Sequence, residues 1–201
     1  MIKLSDRLIS LAQHFAALCL TALFALSATG SSIAQSASNA DASLKNGQIV
    51  LIRHAYAPGG GDPKNFTLGD CATQRNLNDT GRQQARQIGN WFRRQPVAVT
   101  RVLSSQWCRA MDTAMLAFPN QVTEAPEFNS FFRNRRTEVK QTQEALTRFA
   151  QWQGPGLMVV VTHQVNITAL TGIIPRSGEG IVIEYNNGTV NVVERLDFDF
   201  Q

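Results

Sequence analysis

GQIVLIRHAYAP, residues 47–58, is an apolar run that ends on an Arg-His pair, Arg53 and His54. Apolar residues without alternation mark a strand buried on both faces, as in a parallel sheet covered by helices. A second such run, LMVVVT at Leu157 to Thr162, leads directly into His163. Open α/β sheets bind ligands beyond the carboxyl ends of their strands. Both runs therefore deliver a histidine where a site is expected.

The segments between and beyond them alternate in period. Thr80-Gly81-Arg82-Gln83 has capping-box spacing, and Ala85, Ile88 and Phe92 recur at helical intervals, so a helix is predicted from Thr80 to Gln95, stopped by Pro96. Val97 to Leu103 reads as a strand ending at Ser104 and Ser105, Trp107 to Phe118 as a helix with Ala110, Ala114 and Ala117 on one face, and Gln121 to Thr123 as a brief strand. Thr137 to Gln153 sets Val139, Leu146, Phe149 and Ala150 opposite Lys140, Glu144 and Arg148, an amphipathic helix. Val165 to Leu170 is a short helix, and Asn186-Asn187-Gly188 joins Ile181–Tyr185 to Thr189–Leu196 as a hairpin. The expected fold class is α/β: a single three-layer α/β/α domain over residues 47–201, its sheet mostly parallel with a C-terminal antiparallel hairpin.

Composition agrees with one such domain. At 201 residues, 43% hydrophobic and 17% charged, the chain can bury one sizeable core and is not disordered throughout. Its net charge of +4 is modest, and nucleic-acid binders concentrate far more positive charge in one stripe. The expected partner is a small-molecule phosphate ester, which needs only a few well-placed arginines.

Lys3 and Arg7 precede FAALCLTALFAL (Phe15 to Leu26), and Ser32-Ile33-Ala34 offers small residues at a cleavage position. Residues 1–34 read as a signal peptide, and the mature protein as periplasmic or secreted. The alternative is an uncleaved anchor, although the run falls short of the roughly 20 residues a span requires. Residues 35–46, rich in Ser, Ala, Asn and Asp, read as a flexible lead-in. Cleavage removes Cys19 and leaves Cys71 and Cys108, expected to bridge in an oxidising compartment; two buried free thiols are the other reading. Neither fits a cysteine-dependent phosphatase, whose nucleophile sits six positions before an Arg, because those positions hold Leu77 and Ala114.

Three segments, LIRHAYAP (Leu51 to Pro58), LSSQWCRAMDTA (Leu103 to Ala114) and VVTHQVNI (Val160 to Ile167), together with LNDTGRQQA (Leu77 to Ala85), resemble the histidine phosphatase superfamily. This is the phosphoglycerate-mutase-like group, branch 1, that works through a phosphohistidine. The resemblance implies that His54 is the nucleophile, that Arg53 and Arg109 bind the phosphoryl group, and that His163 donates a hydrogen bond to it. The Gln164 backbone N–H and Thr162 are further contacts, and neither metal nor cofactor is needed. Elementary chemistry agrees: guanidinium forks bind phosphate bidentately, and cations beside an imidazole keep it neutral and nucleophilic.

Two departures from the family pattern stand out. Ala55 and Gly60 occupy places where many members have Gly and Asn, so Gly59-Gly60-Gly61 offers backbone groups only. Where a Leu-x-Glu pattern supplies the acid that protonates the leaving group, this chain has Phe128-Asn129-Ser130. Glu127 is the favoured replacement, with Glu124, Asp62 and Asp70 as alternatives. The loop GGGDPKNFTLGDCATQRNL (Gly59 to Leu77) is similar to the exported subgroup that includes lipopolysaccharide-core heptose phosphate phosphatases, which implies an envelope sugar phosphate as substrate. Two further readings are a non-catalytic phosphate-binding module of the same fold, and a metal site on His54 and His163 completed by an Asp, against which two arginines aimed into one pocket argue because cations repel a divalent ion. Trp91, Phe131 and Phe132 are candidates for a substrate rim or a partner surface.

Overall fold

The computed structural model describes residues 44–198. The expected signal peptide and most of the lead-in lie outside the described residues. Leu44 is buried in the core, and Asn46 Oδ1 accepts the Gly156 N–H at 2.9 Å.

Among the described residues six strands and four α-helices follow in order: β1 (Ile49–Arg53), α1 (Asp79–Arg93), β2 (Val99–Ser104), α2 (Cys108–Ala117), β3 (Val122–Glu124), α3 (Glu138–Ala150), β4 (Leu157–Thr162), α4 (Gln164–Thr171), β5 (Gly180–Asn186) and β6 (Thr189–Leu196). The sheet order is β3-β2-β4-β1-β5-β6. β1, β2, β3 and β4 run parallel, β5 is antiparallel to β1, and β6 returns antiparallel to β5. Asn187 and Gly188 turn that hairpin with positive φ, as the Asn-Gly signal requires.

Period two along each strand divides the core into two apolar layers. Val50, Ile52, Val102, Val159 and Val161 face α1 and α2, meeting Ile88, Phe92, Ala110 and Ala114. Ile49, Leu51, Leu103, Met158 and Val160 face the other way, meeting Phe128, Phe149 and Ile167. This is the three-layer α/β/α arrangement with a C-terminal antiparallel pair. Among the described residues no helix is long and apolar enough to cross a membrane.

Two local details bear on the site. α1 is capped by Asn78, not by the predicted box at Thr80: the Asn78 side chain accepts the Gly81 N–H at 2.9 Å, which moves the start to Asp79. At Gly81 a β-carbon would fall 2.0 Å from the Tyr56 carbonyl oxygen, so only glycine lets the helix start abut the loop after β1. Register then fixes the strand ends. Arg53 pairs with Thr162, the His54 N–H donates to Thr162 O at 2.9 Å, and the Ser105 N–H donates to Val161 O at 2.9 Å. Three strand ends thereby converge on one spot.

Candidate active site

His54 and His163 stand beside each other at those ends, ring centroids 5.4 Å apart and planes at 65°. Both are buried. His54 Nδ1 donates to the Ala55 carbonyl at 2.8 Å, which leaves the lone pair on Nε2; that atom accepts from Arg109 Nε at 3.2 Å. His163 is held oppositely. Its Nδ1 accepts from Arg109 Nη2 at 3.5 Å and its Nε2–H donates to Ser105 Oγ at 2.8 Å, because a guanidinium can only donate. Ser105 in turn donates to Asn129 Oδ1 at 3.2 Å.

Arg109 is the centre of the arrangement. It occupies the first turn of α2 and is buried. Nη1 donates to Asp62 Oδ1 at 2.6 Å and to the Arg75 carbonyl at 3.3 Å, while Nη2 donates to Asp62 Oδ2 at 3.2 Å. With the two imidazoles these contacts engage all five guanidinium N–H groups. One edge of Arg109 faces both histidines and its far end is clasped by Asp62. The Asp62 carboxylate also accepts from the Arg75 backbone N–H at 3.2 Å and from Trp107 Nε1 at 3.1 Å.

Burial, reinforced by the charge of Arg109, holds both imidazoles well below the usual histidine range, so both are neutral at physiological pH. Burial alone raises the Asp62 pKa, but the hydrogen bonds and charge of Arg109 outweigh it and leave the carboxyl below its ordinary value. Arg53 also lines the pocket. Its Nη1 donates to the Pro175 carbonyl at 2.9 Å, and its Nε is buried with no partner among the described residues. Around these groups lies a pocket of about 550 Å³, its wall continued by Gly59, Gly60, Gly61, Phe66, Trp107 and Gln164. Phe66 stacks on Trp107 at 5.0 Å.

The Cys71–Cys108 disulfide is formed, with Cα atoms 5.7 Å apart. It joins the loop that carries Asp62 and Arg75 to the residue before Arg109.

Several expected contributors are elsewhere. Glu127 does not line the pocket: it accepts from Arg148 Nε of α3 at 2.8 Å, because the short 3₁₀ turn Pro126–Phe128 directs Phe128 into the core and Glu127 toward α3. Glu124 accepts from Gln106 Nε2 at 2.9 Å, and Asp70 caps the turn Cys71–Thr73. Asp62 is thus the pocket's carboxylate among the described residues. Thr162 Oγ1 donates to the Phe128 carbonyl at 2.7 Å, which commits it inside the fold. Of the candidate rim aromatics, Trp91 packs against the core and Phe131 is buried, whereas Phe132 is 61% exposed at the pocket edge. Sequence reading did not anticipate the Asp62 clasp on Arg109 or the Ser105–Asn129 support of His163. The Asn129 signal was present, since Phe128-Asn129-Ser130 had already marked that place as altered.

Residues 49–131 match the family model described as the histidine phosphatase superfamily (branch 1). No curated protein matches the sequence. Among solved structures, alpha-ribazole phosphatase from Shigella flexneri is similar at TM-score 0.52 and 18% identity, covering 73% of this chain and 94% of its own. Phosphoserine phosphatase from Entamoeba histolytica, in complex with 3-phosphoglyceric acid, gives TM-score 0.53 and 14% identity over 75% of this chain and 96% of its own. The protein histidine phosphatase SixA, complexed with tungstate, gives TM-score 0.51 and 16% identity over 75% and 97%. The family recognised in the motifs is the family of the matched segment, and the surrounding fold is the one these phosphatases share.

Proposed function

We propose that the protein is an exported phosphomonoesterase that hydrolyses a phosphorylated small molecule through a covalent phosphohistidine on His54. The observation that carries the reading is the single guanidinium of Arg109 with one edge laid across His54 Nε2 and His163 Nδ1. A phosphoryl group entering between the rings takes that edge in place of the imidazoles. It frees the His54 lone pair, which attacks phosphorus while the ester oxygen leaves with its bonding pair. The buried Arg53 Nε offers a further donor, and preorganised donors of this kind supply most of the catalysis in phosphoryl transfer. The arriving dianion favours a proton on His163 Nδ1, which then donates to a phosphoryl oxygen. Water attacks the phosphohistidine in the second half-reaction, releasing phosphate and returning the electron pair to Nε2.

With Asp62 ionised on Arg109 and Glu127 turned away, leaving-group protonation falls to water, so esters of acidic alcohols react fastest. An envelope sugar phosphate is the leading substrate class. It is supported by the likeness of the Gly59–Leu77 loop and by the aromatic pair Phe66–Trp107, a surface suited to a sugar ring. Export through a cleaved 1–34 leader is supported by the Cys71–Cys108 bridge, which is compatible with an oxidising compartment. The position of Glu127 favours a second reading, a phosphate-binding module without turnover.

Labelled aryl phosphate separates the two readings. After a denaturing alkaline quench, in which the P–N bond survives, the enzyme retains label that His54→Ala abolishes. Absence of label on the wild type with phosphate still bound would establish the binding module.

A further inference from the structure

Four arginines line the pocket, Arg53, Arg75, Arg109 and Arg133, against one carboxylate, Asp62. Asp62 spends both oxygens on Arg109. With the histidines neutral, three positive charges are left uncompensated, one more than a phosphoryl dianion neutralises. Arg53, Arg75 and Arg133 have no carboxylate within ion-pair distance among the described residues, although all three line the same pocket.

With Arg53 and Arg109 serving the phosphoryl group, Arg75 and Arg133 remain, each hydrogen-bonded to backbone carbonyls. Arg75 is half-buried; its Nε donates to the Gly61 carbonyl at 3.1 Å and its Nη1 donates to the Ala57 carbonyl. Arg133 Nη1 donates to the Pro63 carbonyl at 2.8 Å, reaching across the pocket mouth from the segment after β3. Carbonyls are neutral acceptors. They orient each guanidinium without discharging it, and nitrogens of both remain for a ligand. Burial first, then the nearby charge of Arg109, lowers the Arg75 pKa, with the Asp62 carboxylate acting against them.

We propose that the natural substrate is a phosphomonoester carrying a second anionic group, a phosphate or carboxylate, which Arg75 and Arg133 bind at the mouth while the scissile phosphoryl group sits between the histidines. This deepens the phosphatase reading and rests on it for the identity of the scissile end. An alternative source of the charge excess, general attraction of any anion, predicts no dependence on how the two groups are arranged in one molecule.

The test uses His54→Ala protein, so that binding is read without turnover. By calorimetry, a hexose bisphosphate is expected to bind about 10-fold more tightly than the corresponding hexose monophosphate, with a steeper loss on adding salt. Arg133→Gln narrows that ratio to within about two-fold, and Arg133→Lys, which keeps charge but not the planar fork, restores part of it. Unchanged melting temperatures exclude a loss of fold. Equal affinity for the two sugars, or a ratio that survives Arg133→Gln, overturns the proposal. Equal stimulation of monophosphate binding by free inorganic phosphate overturns it as well, by removing the need for one molecule. Failure of the phosphatase reading shows separately, as absence of label on wild-type His54.

Discussion

Arg109 serves both histidines, Asp62 and the Arg75 carbonyl with one planar group, and Asp62 holds its far end. Replacing the fork by a point charge in Arg109→Lys is expected to lower kcat/KM by about 100-fold, the scale of losing a preorganised donor to a developing anion. Asp62→Asn has a divided outcome. It removes the internal competitor for Arg109, so inorganic phosphate inhibits at several-fold lower concentration, while kcat falls about 10-fold because the guanidinium loses its fixed end. A simultaneous loss of both affinity and rate would count against that division. The histidines give a pH prediction. Each has a native pKa held well below the ordinary 6.5, so below that pH the unfolded chain binds more protons than the native one. Stability then falls as pH drops through that value, which urea midpoints from about pH 7.5 to about pH 5.5 will report, and His163→Gln flattens the slope. Asp62 acts in a separate window. Its pKa is depressed below 3.8, so its contribution persists until the pH falls through that lower value.

At the scale of elements, the continuous apolar runs identified β1 and β4 because both faces of those strands are covered, which leaves no polar residue to blur the pattern. Helix periodicity located α1, α2 and α3 for the complementary reason: one face of each is wet. The α1 boundary was less legible. Two polar residues, Asn78 and Thr80, compete for the cap, and only the approach of the β1 loop to Gly81 decides between them. Asn78→Ala should therefore cost about 1 kcal/mol in thermal or chemical unfolding, and Thr80→Ala far less. Gly89 carries a tertiary constraint that no helix propensity reveals. A β-carbon there would fall 2.2 Å from the Ala117 carbonyl oxygen of α2, so Gly89→Ala is expected to destabilise by about 1–3 kcal/mol despite a gain in propensity. The direction of Glu127 was equally hidden, since a single 3₁₀ turn decides whether that carboxylate meets the pocket or Arg148.

Across the whole molecule, the histidines and Arg109 were readable because each follows or begins a regular element whose place in the sheet is fixed by register. Asp62 was not: it sits in a Gly-rich loop without periodicity, and its partner lies 47 residues away in sequence. The bridge between Cys71 and Cys108 gathers that loop onto the sheet. Replacing both cysteines by serine is expected to remove about 3–4 kcal/mol of stability in the chain-entropy model. It should also lower kcat/KM, because Asp62 and Arg75 lose their tether to α2. Full activity and unaltered phosphate affinity in that double variant would mean the loop is held by its hydrogen bonds alone.

The position of that sulfur pair, immediately ahead of Arg109, has a practical corollary. Reducing it would release the loop that carries Asp62 and Arg75 from the start of α2 and loosen the hold on the guanidinium. Preparations kept in dithiothreitol would then understate the enzyme for a reason unrelated to any reactive cysteine.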